Sequence, residues 1–318
     1  MTWRVRWDEL PLARGSVDRA AHLRARPDLL TELMAREGTR VVLARGARVA
    51  VRQTRTELDL RSPSDPVVTA LAEHAQAMFL GTDDDGAYLA LVHPAEPRPA
   101  ADPEPGTEPD LGVIPGAQWQ RLREVGHLLG PRDAGLAATA VALGAWHASH
   151  RFCARCGAPT EPSFAGWQRR CTAEGTELYP RTDPAVIMAV VDPADRILLA
   201  HATHWPERRF STLAGFVEAG ESAEQALRRE VLEEVALPVT DLEYRGSQTW
   251  PFPASLMLAF QARTERTDVV VDGVEIEEAR WFDRAGLEAA ARSGEVILPG
   301  RASVARALVE EWFGGPLP

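Results

Sequence analysis

The chain has 318 residues, enough for about two domains that each bury a core. Its formal net charge of -11 argues against a surface that attracts nucleic acid throughout, so an anionic substrate needs metal ions or local arginines. No apolar run reaches the roughly 18 residues that cross a bilayer, and no charged leader follows Met1. The three cysteines do not suit a disulfide framework, so we expect a cytoplasmic enzyme without a membrane partner.

Residues 1–148 are predicted to form an N-terminal α+β domain, and residues 1 to about 130 carry no catalytic pattern. Residues 40–51 and 87–92 alternate or run apolar in the manner of strands. Residues 94–110 are rich in proline and acidic side chains, which predicts a mobile loop inserted in this domain.

A helix is predicted over residues 135–150, which are apolar on most sides, and Asp133 is the predicted cap. His147 and His150 lie at its end. We interpret both histidines as packing or surface residues rather than as metal ligands.

Residues 149–182 have the features of a zinc ribbon. A CxxC pair followed by glycine favours a ribbon-shaped hairpin, and a third cysteine follows fourteen residues later. The position of a fourth cysteine is occupied by Glu174, and Glu177 is the other carboxylate in reach. The alternative is a ribbon without metal, held by the packing of Phe164 and Trp167. The candidate zinc ligands are Cys153, Cys156, Cys171 and Glu174.

Residues 183–318 are predicted to form a mixed sheet covered by helices on both faces. The apolar runs AVIMAVV and RILLA, separated by DPAD, indicate a hairpin. Further strands are predicted at 212–217, 242–249, 256–262 and 278–282, and helices at 284–292 and 303–312.

The segment 215–237, GFVEAGESAEQALRREVLEEVAL, predicts a glycine loop followed by a helix. Ser222 and Gln225 have the spacing of a capping box, so the helix should begin near residue 223. Apolar residues recur at a spacing of four, which predicts one buried face, and Pro238 ends the helix. The residues of this face are Leu227, Val231 and Val235.

The same helix carries a cluster of carboxylates that local energetics do not favour. Glu230 and Glu234 stand one turn apart, with Glu233 beside them. Their mutual repulsion costs roughly 0.2–0.5 kcal/mol per pair, and their place near the negative end of the helix dipole costs about 0.3–1 kcal/mol. Bound Mg²⁺ or Mn²⁺ would reverse both penalties. The simpler alternative is a solvated acidic face eased by an Arg229–Glu233 pair.

The complete pattern resembles the signature of the Nudix hydrolases, which cleave nucleoside diphosphates linked to another moiety. Gly215, Glu221 and the run 229–234 (REVLEE) match it over 23 residues. One residue departs from it, since Ala236 stands where the signature has a glycine. A left-handed turn at that alanine would cost about 1 kcal/mol.

Residues 247–257, SQTWPFPASLM, narrow the resemblance to the NADH pyrophosphatase, or NudC-like, group of Nudix enzymes. The prolines stiffen the backbone, and Trp250 and Phe252 offer flat faces on which a heteroaromatic ring can stack. Taken alone, a WPFP sequence is more often a loop that plugs a core. Thr249 replaces the proline that is usual in this group.

The resemblance implies a Nudix α/β/α sandwich preceded by a zinc ribbon. It also implies a homodimer that hydrolyses NAD(H) to nicotinamide mononucleotide (NMN) and AMP and removes NAD caps from RNA. Phe216 and Trp250 would enclose a base, with one of the two contributed by each subunit. The implied ligands of two or three Mg²⁺ or Mn²⁺ ions are the carbonyl of Ala214 with Glu230, Glu234 and Glu275. The implied substrate-binding residues are Phe216, Trp250, Ser255, Tyr179, Gln248 and the backbone at Ala305.

In such a site the cations neutralise the diphosphate and make a bound water more acidic, while a carboxylate orients that water or accepts its proton. Glu233 and Glu234 are both candidates for the general base, and Glu230 completes the catalytic set.

Three alternatives remain at this point. One is a broader pyrophosphatase that acts on ADP-ribose and related dinucleotides. Another is a non-catalytic nucleotide sensor, which would be expected to lose the metal glutamates that this chain retains. The third is RNA binding through a basic patch on the ribbon. That patch would consist of Arg151, Arg155, Arg169, Arg170 and Arg181.

Overall fold

The computed structural model describes residues 4–93, 112 and 114–318, so the loop predicted at residues 94–110 lies outside the described residues. The chain divides into two compact units. The N-terminal unit comprises Arg14–Thr182 and Trp250–Ala254, and the C-terminal unit comprises Met1–Ala13, Asp183–Thr249 and Ser255–Pro318.

The N-terminal unit is built on a five-stranded mixed sheet in the order β3-β4-β1-β2-β5. Strands β1 and β4 are parallel, and the other neighbouring pairs are antiparallel. The strands predicted at 40–51 and 87–92 are confirmed, the first of them as a hairpin. The elements are α1 (Leu29–Ala35), β1 (Arg40–Arg45), β2 (Arg48–Arg52), α2 (Pro66–Ala72), β3 (Gln76–Asp83), β4 (Gly86–His93), β5 (Ala117–Arg121), α3 (Leu122–Val125) and α4 (Pro131–Ser149).

Helix α4 is the helix predicted at 135–150, but the prediction that Asp133 caps it is wrong. The helix begins at Pro131 after Gly130 as its N-cap, because proline suits the first helical position. Asp133 is buried within the first turn, where its carboxylate accepts a hydrogen bond of 2.8 Å from the N–H of Leu58. Its role is to bind a neighbouring segment rather than to start the helix.

The ribbon is a three-stranded antiparallel sheet made of β6 (Thr160–Ser163), β7 (Gln168–Cys171) and β8 (Glu177–Leu178). The assignment of Arg169 to a surface patch is wrong, since this side chain is only 7% exposed. Its guanidinium donates to the hydroxyl and the carbonyl of Thr160 and lies 2.9 Å from Nδ1 of His147. His147 is buried as predicted, and desolvation lowers its pKa to about 4. The other four arginines of the patch are exposed.

The C-terminal unit contains a mixed sheet in the order β12-β13-β9-β10-β14, with β11 also paired to β9. Strands β9 and β13 are parallel, and β10 is antiparallel to β9 and β14. Each strand and helix predicted for residues 183–318 is confirmed, and the observed boundaries differ from the predicted ones by two residues at most. The elements are β9 (Asp183–Val191), β10 (Ile197–Ala202), β11 (Leu213–Phe216), α5 (Ala223–Val235), β12 (Thr240–Trp250), β13 (Ser255–Arg263), β14 (Ile276–Phe282), α6 (Arg284–Ser293) and α7 (Val304–Phe313).

Strand β9 separates two hydrophobic cores, because successive side chains of a strand point to opposite faces. Val186, Met188 and Val190 pack with the apolar stripe of α5. Ile187, Ala189 and Val191 pack on the other face with residues of α6 and α7. Helices therefore cover both faces of the sheet, which confirms the predicted α/β/α sandwich. Among the helices described, none is long and apolar enough to span a membrane.

Candidate active site

Helix α5 begins and ends as its sequence predicts. The N–H of Gln225 donates to the Ser222 hydroxyl, and the N–H of Ser222 donates to the Gln225 side chain, which completes the capping box. Ala236 follows the last turn with φ at 57°, the left-handed conformation that favours glycine. The apolar stripe of the helix is fully buried, and each of its side chains contributes about 1.5–3 kcal/mol of hydrophobic stabilisation.

Gly215 in β11 allows the carboxyl group of Glu230 to lie directly against the strand. A Cβ at this position would come well inside 3.0 Å of all three carboxyl atoms of Glu230, closer than real side chains approach. The glycine is therefore required by this close approach rather than by a left-handed backbone. Gly215 and Glu230, two residues of the signature, thus form one structural unit.

Arg229 ties the loop before α5 to the helix. Its guanidinium donates to both carboxylate oxygens of Glu221, at 2.8 and 2.9 Å, and to the carbonyl of Phe216 at 2.9 Å. It also donates to Glu230 at 2.8 Å and to Glu233 at 3.1 Å. The hydrogen bonds that Glu221 accepts from Arg229 lower its pKa to about 2, and a hydrogen bond from the N–H of Glu218 adds to this effect. The Arg229–Glu233 pair that the simpler alternative requires is therefore present, inside a larger network.

Glu234 differs from its neighbours because it is buried and incompletely hydrogen-bonded. Its side chain is 5% exposed, and Oε2 has no hydrogen-bond partner among the described residues. Burial, followed by repulsion from Glu230 and Glu275, raises its pKa to about 8. Burial also raises the pKa of Glu230. A buried, unpaired carboxylate is costly unless a cation compensates it.

Glu275 is positioned by Asp272, a residue that the sequence analysis does not single out. The Asp272 carboxylate accepts hydrogen bonds from the N–H groups of Val274, Glu275 and Ile276 at 3.3, 3.1 and 2.9 Å. Aspartate commonly holds a turn through the backbone N–H groups that follow it, and the Asp-Gly pair at 272–273 is the signal that could have revealed this one.

A cleft of about 300 Å³ brings most of the predicted metal ligands together. Ala214, Glu234 and Glu275 line one part of it, and Glu230 lies one helical turn from Glu234. The donors in this region are carboxylate and carbonyl oxygens, the ligand type that Mg²⁺ and Mn²⁺ prefer. The unpaired oxygen of Glu234 in this cleft fits a site for a divalent cation.

The substrate-binding residues predicted in the C-terminal unit have different environments. Phe216 is 57% exposed and available to a ligand. Gln248 is 1% exposed, and its amide accepts from the N–H of Leu12 and donates to the carbonyl of Ala302. Ser255 and Ala305 are also buried. The Gln248 amide thus connects two segments of this unit, and substrate contact by these residues stays a prediction.

The remaining predicted substrate-binding residues belong to the N-terminal unit. Trp250 lies edge-on to Phe252, with ring centres 4.9 Å apart. Tyr179 is 60% exposed, and its hydroxyl donates to Glu177 at 2.7 Å. Both residues stay predicted substrate-binding groups.

The three cysteines of the ribbon meet in one cluster. The Sγ atoms of Cys153, Cys156 and Cys171 lie within 4.8 Å of one another, as ligands of one metal ion would. Glu174 does not join this group. Its carboxylate lies 3.6 Å from Arg155, while its N–H donates to Cys171 Sγ at 3.4 Å. A three-thiol zinc site fits this arrangement, and a carboxylate as fourth ligand stays a prediction.

Three family models match consecutive parts of the chain. The NADH pyrophosphatase-like rudimentary NUDIX domain matches residues 38–146, the NADH pyrophosphatase zinc ribbon domain residues 148–179, and the NUDIX domain residues 181–298. A solved NUDIX hydrolase from Nitrosomonas europaea is 22% identical, with a TM-score of 0.40, over 52% of this chain and 95% of that one.

Curated relatives match over most of the chain. The NAD-capped RNA hydrolase NudC of Mycobacterium tuberculosis (strain ATCC 25618 / H37Rv) is 44% identical over 247 residues, which are 74% of this chain and 75% of the relative. The protein of the same name from Stutzerimonas stutzeri (strain A1501) is 41% identical over 62% of this chain and 68% of its own length. With the signature helix, the thiol cluster and these matches together, the chain belongs to the NudC-like NADH pyrophosphatase group of the Nudix hydrolase family.

Proposed function

We propose that this protein hydrolyses the pyrophosphate bond of NAD(H), giving NMN(H) and AMP, and that it removes NAD caps from RNA. The observation that carries the proposal is the buried, unpaired oxygen of Glu234 in a cleft beside Glu275 and one turn from Glu230. The relatives described above are NAD-capped RNA hydrolases, which supports capped RNA as a substrate, and the matching NADH pyrophosphatase domain models support NADH.

The residues that would hold the divalent ions are Glu230, Glu234 and Glu275, together with the carbonyl of Ala214. Mg²⁺ and Mn²⁺ are the proposed ions because the donors are hard oxygens. When bound, such ions neutralise the diphosphate and lower the pKa of a coordinated water.

The protein's own groups then divide the remaining work. Glu233 is 61% exposed and bonded to Arg229, whereas Glu234 lines the cleft itself. We therefore assign to Glu234 the acceptance of the proton from the attacking water. Arg229 holds the loop that ends β11, which fixes the position of Phe216.

Substitution of Glu234 by Gln tests whether Glu234 takes part in the reaction. It preserves shape and removes the charge, and we expect turnover of NADH to fall about a hundredfold or more while the protein stays folded. Glu233→Gln is the matched control, and we expect a smaller loss because Glu233 lies outside the cleft. Near-normal turnover in Glu234→Gln would remove Glu234 from the mechanism.

The choice of NAD(H) over ADP-ribose depends on stacking of a second ring. Phe216 offers an exposed aromatic face, and ADP-ribose lacks the nicotinamide that could stack on such a face. We expect higher kcat/KM for NADH than for ADP-ribose. Phe216→Ala should reduce this preference, and equal kcat/KM values in the wild-type protein would favour the broader pyrophosphatase.

We further propose a homodimer, with Phe216 and Trp250 stacking on a base, one from each subunit, as the family resemblance implies. Light scattering of the purified protein tests the oligomeric state. For capped RNA, we propose that the exposed ribbon arginines guide the substrate, namely Arg151, Arg155, Arg170 and Arg181. Turnover of capped RNA should then fall with salt more steeply than turnover of free NADH.

The ribbon is proposed to hold one structural zinc ion through Cys153, Cys156 and Cys171, with Glu174 as the fourth ligand. The three thiols support this proposal. Metal analysis of protein purified without chelators should find about one zinc per chain.

A further inference from the structure

The cleft lined by Glu234 and Glu275 is also lined by residues that are not among the predicted metal ligands. Three residues of the turn that follows β10 also line it, Thr203, His204 and Trp205. Packing voids in protein interiors are seldom larger than a water molecule, whereas small-molecule sites begin at about 300 Å³. A cleft of about 300 Å³ is therefore large enough for part of a substrate.

The order of residues along β11 shows which part of a dinucleotide reaches this cleft. Phe216 ends the strand, and Gly215 before it lies against Glu230. Ala214, one residue earlier, lines the cleft together with Glu234. Ala214 and Phe216 are about 7 Å apart along the strand, and the two glutamates are about 6 Å apart along the helix. A diphosphate held at the glutamates therefore reaches Phe216 on the Glu230 side and the cleft on the Glu234 side.

The turn after β10 is fixed to the segment that carries Glu275. The N–H of Thr203 donates to the carbonyl of Glu275 at 3.0 Å, and its hydroxyl donates to the carbonyl of Val274 at 3.0 Å. The N–H of Trp205 donates to the carbonyl of Ala202 at 3.0 Å. The turn and the predicted metal ligand thus form one connected structure.

The turn places aromatic surface next to the cleft. Trp205 is half-buried against the core beneath α5, and the ring of His204 lies edge-on to it with centres 6.0 Å apart. The guanidinium of Arg209 lies 5.3 Å from the centre of the indole ring. Ala200 and Leu213 add apolar lining. Aromatic and apolar lining beside a group that binds phosphate suits a nucleoside.

We infer that this cleft binds the second nucleoside of the dinucleotide, the one that does not stack on Phe216, and that Trp205 and His204 hold it there. This inference rests on the proposed function, since it assigns a subsite next to the same catalytic carboxylates. It makes Trp205 a specificity-determining residue. Stacking of a base on an aromatic side chain changes affinity about tenfold or more.

The test measures binding of the two product mononucleotides separately. Dissociation constants for AMP and for NMN are determined by calorimetry, with Ca²⁺ present, for the wild-type protein and for Trp205→Ala, His204→Ala and Phe216→Ala. We expect Trp205→Ala to weaken one mononucleotide about tenfold and leave the other unchanged, with His204→Ala acting on the same one. Phe216→Ala should weaken the other mononucleotide.

The inference is overturned if Trp205→Ala and Phe216→Ala weaken the same mononucleotide, or if Trp205→Ala changes neither constant or both equally. Because Trp205 packs against the core, Trp205→Phe serves as a folded comparison that keeps an aromatic ring and should retain most of the affinity. His204 is exposed, so its substitution does not threaten the fold. These constants do not depend on turnover, whereas the proposed function fails separately if the wild-type protein releases no AMP from NADH.

Discussion

Substitution of Gly215 by Ala should damage catalysis without unfolding the protein. The new Cβ would lie well inside 3.0 Å of the Glu230 carboxyl group, and ordinary contact begins at 3.4 Å. The carboxylate must therefore retreat by more than 1 Å from the strand. A displacement of this size in a catalytic group costs about a hundredfold in rate, so we expect kcat for NADH to fall by about that factor. Gly215 lies in an extended strand, so its backbone accepts alanine.

The assay compares steady-state turnover of NADH and the melting temperature of each variant. Gly315→Ala is the matched control, because a Cβ there meets nothing within 4 Å and the residue does not have a positive φ. Adding Glu230→Asp to Gly215→Ala shortens the acidic side chain by one methylene, and we expect it to restore part of the lost activity. A Gly215→Ala variant within threefold of wild-type kcat would refute the proposed role of the Gly215–Glu230 contact.

Two further predictions concern the N-terminal unit. Because the folded-state pKa of His147 is about 4, below its usual value of 6.5, its contribution to stability is complete above pH 6.5 and is lost as pH falls toward 4. The free energy of unfolding should fall by about 3 kcal/mol over this pH range. In denaturant unfolding, the free energy of unfolding of His147→Gln should therefore change less with pH than that of the wild-type protein. Equal pH dependence in the two proteins would contradict this prediction. Glu174→Cys supplies a fourth thiolate, so we expect its affinity for zinc to be tenfold or more higher than that of the wild-type protein. Competition with a chelating dye measures this affinity. Unchanged affinity would exclude position 174 as a ligand.

The sequence was sufficient to predict α5 and its surroundings because the signals there are local. The capping box, the apolar stripe and the left-handed turn at Ala236 each depend on residues within one or two helical turns. The strand β3 was not predicted. Its sequence follows α2 through an alanine-rich stretch that favours helix, and pairing with β4 overrides that preference.

The contacts that shape the site were less accessible to sequence reasoning because they join distant segments. The proximity of Gly215 to Glu230 depends on how β11 packs beside α5. The turn at His204 and Trp205 carries no motif, and its relation to Glu275 appears only after β10 and β14 are paired. The predicted basic patch includes Arg169, whose burial is compensated by hydrogen bonds to Thr160 and His147. These contacts join separate segments and leave no local signal in the sequence.

The central claim is that the carboxylates around Glu234 bind divalent cations and thereby enable cleavage of a dinucleotide. Metal-free protein titrated with Mn²⁺ in the presence of NADH, with bound Mn²⁺ and released AMP measured in the same samples, tests it most directly. The account predicts that AMP appears only as Mn²⁺ binds, and that Glu230→Gln combined with Glu234→Gln abolishes both signals. Release of AMP without a divalent ion, or Mn²⁺ binding unchanged in the double variant, would contradict it.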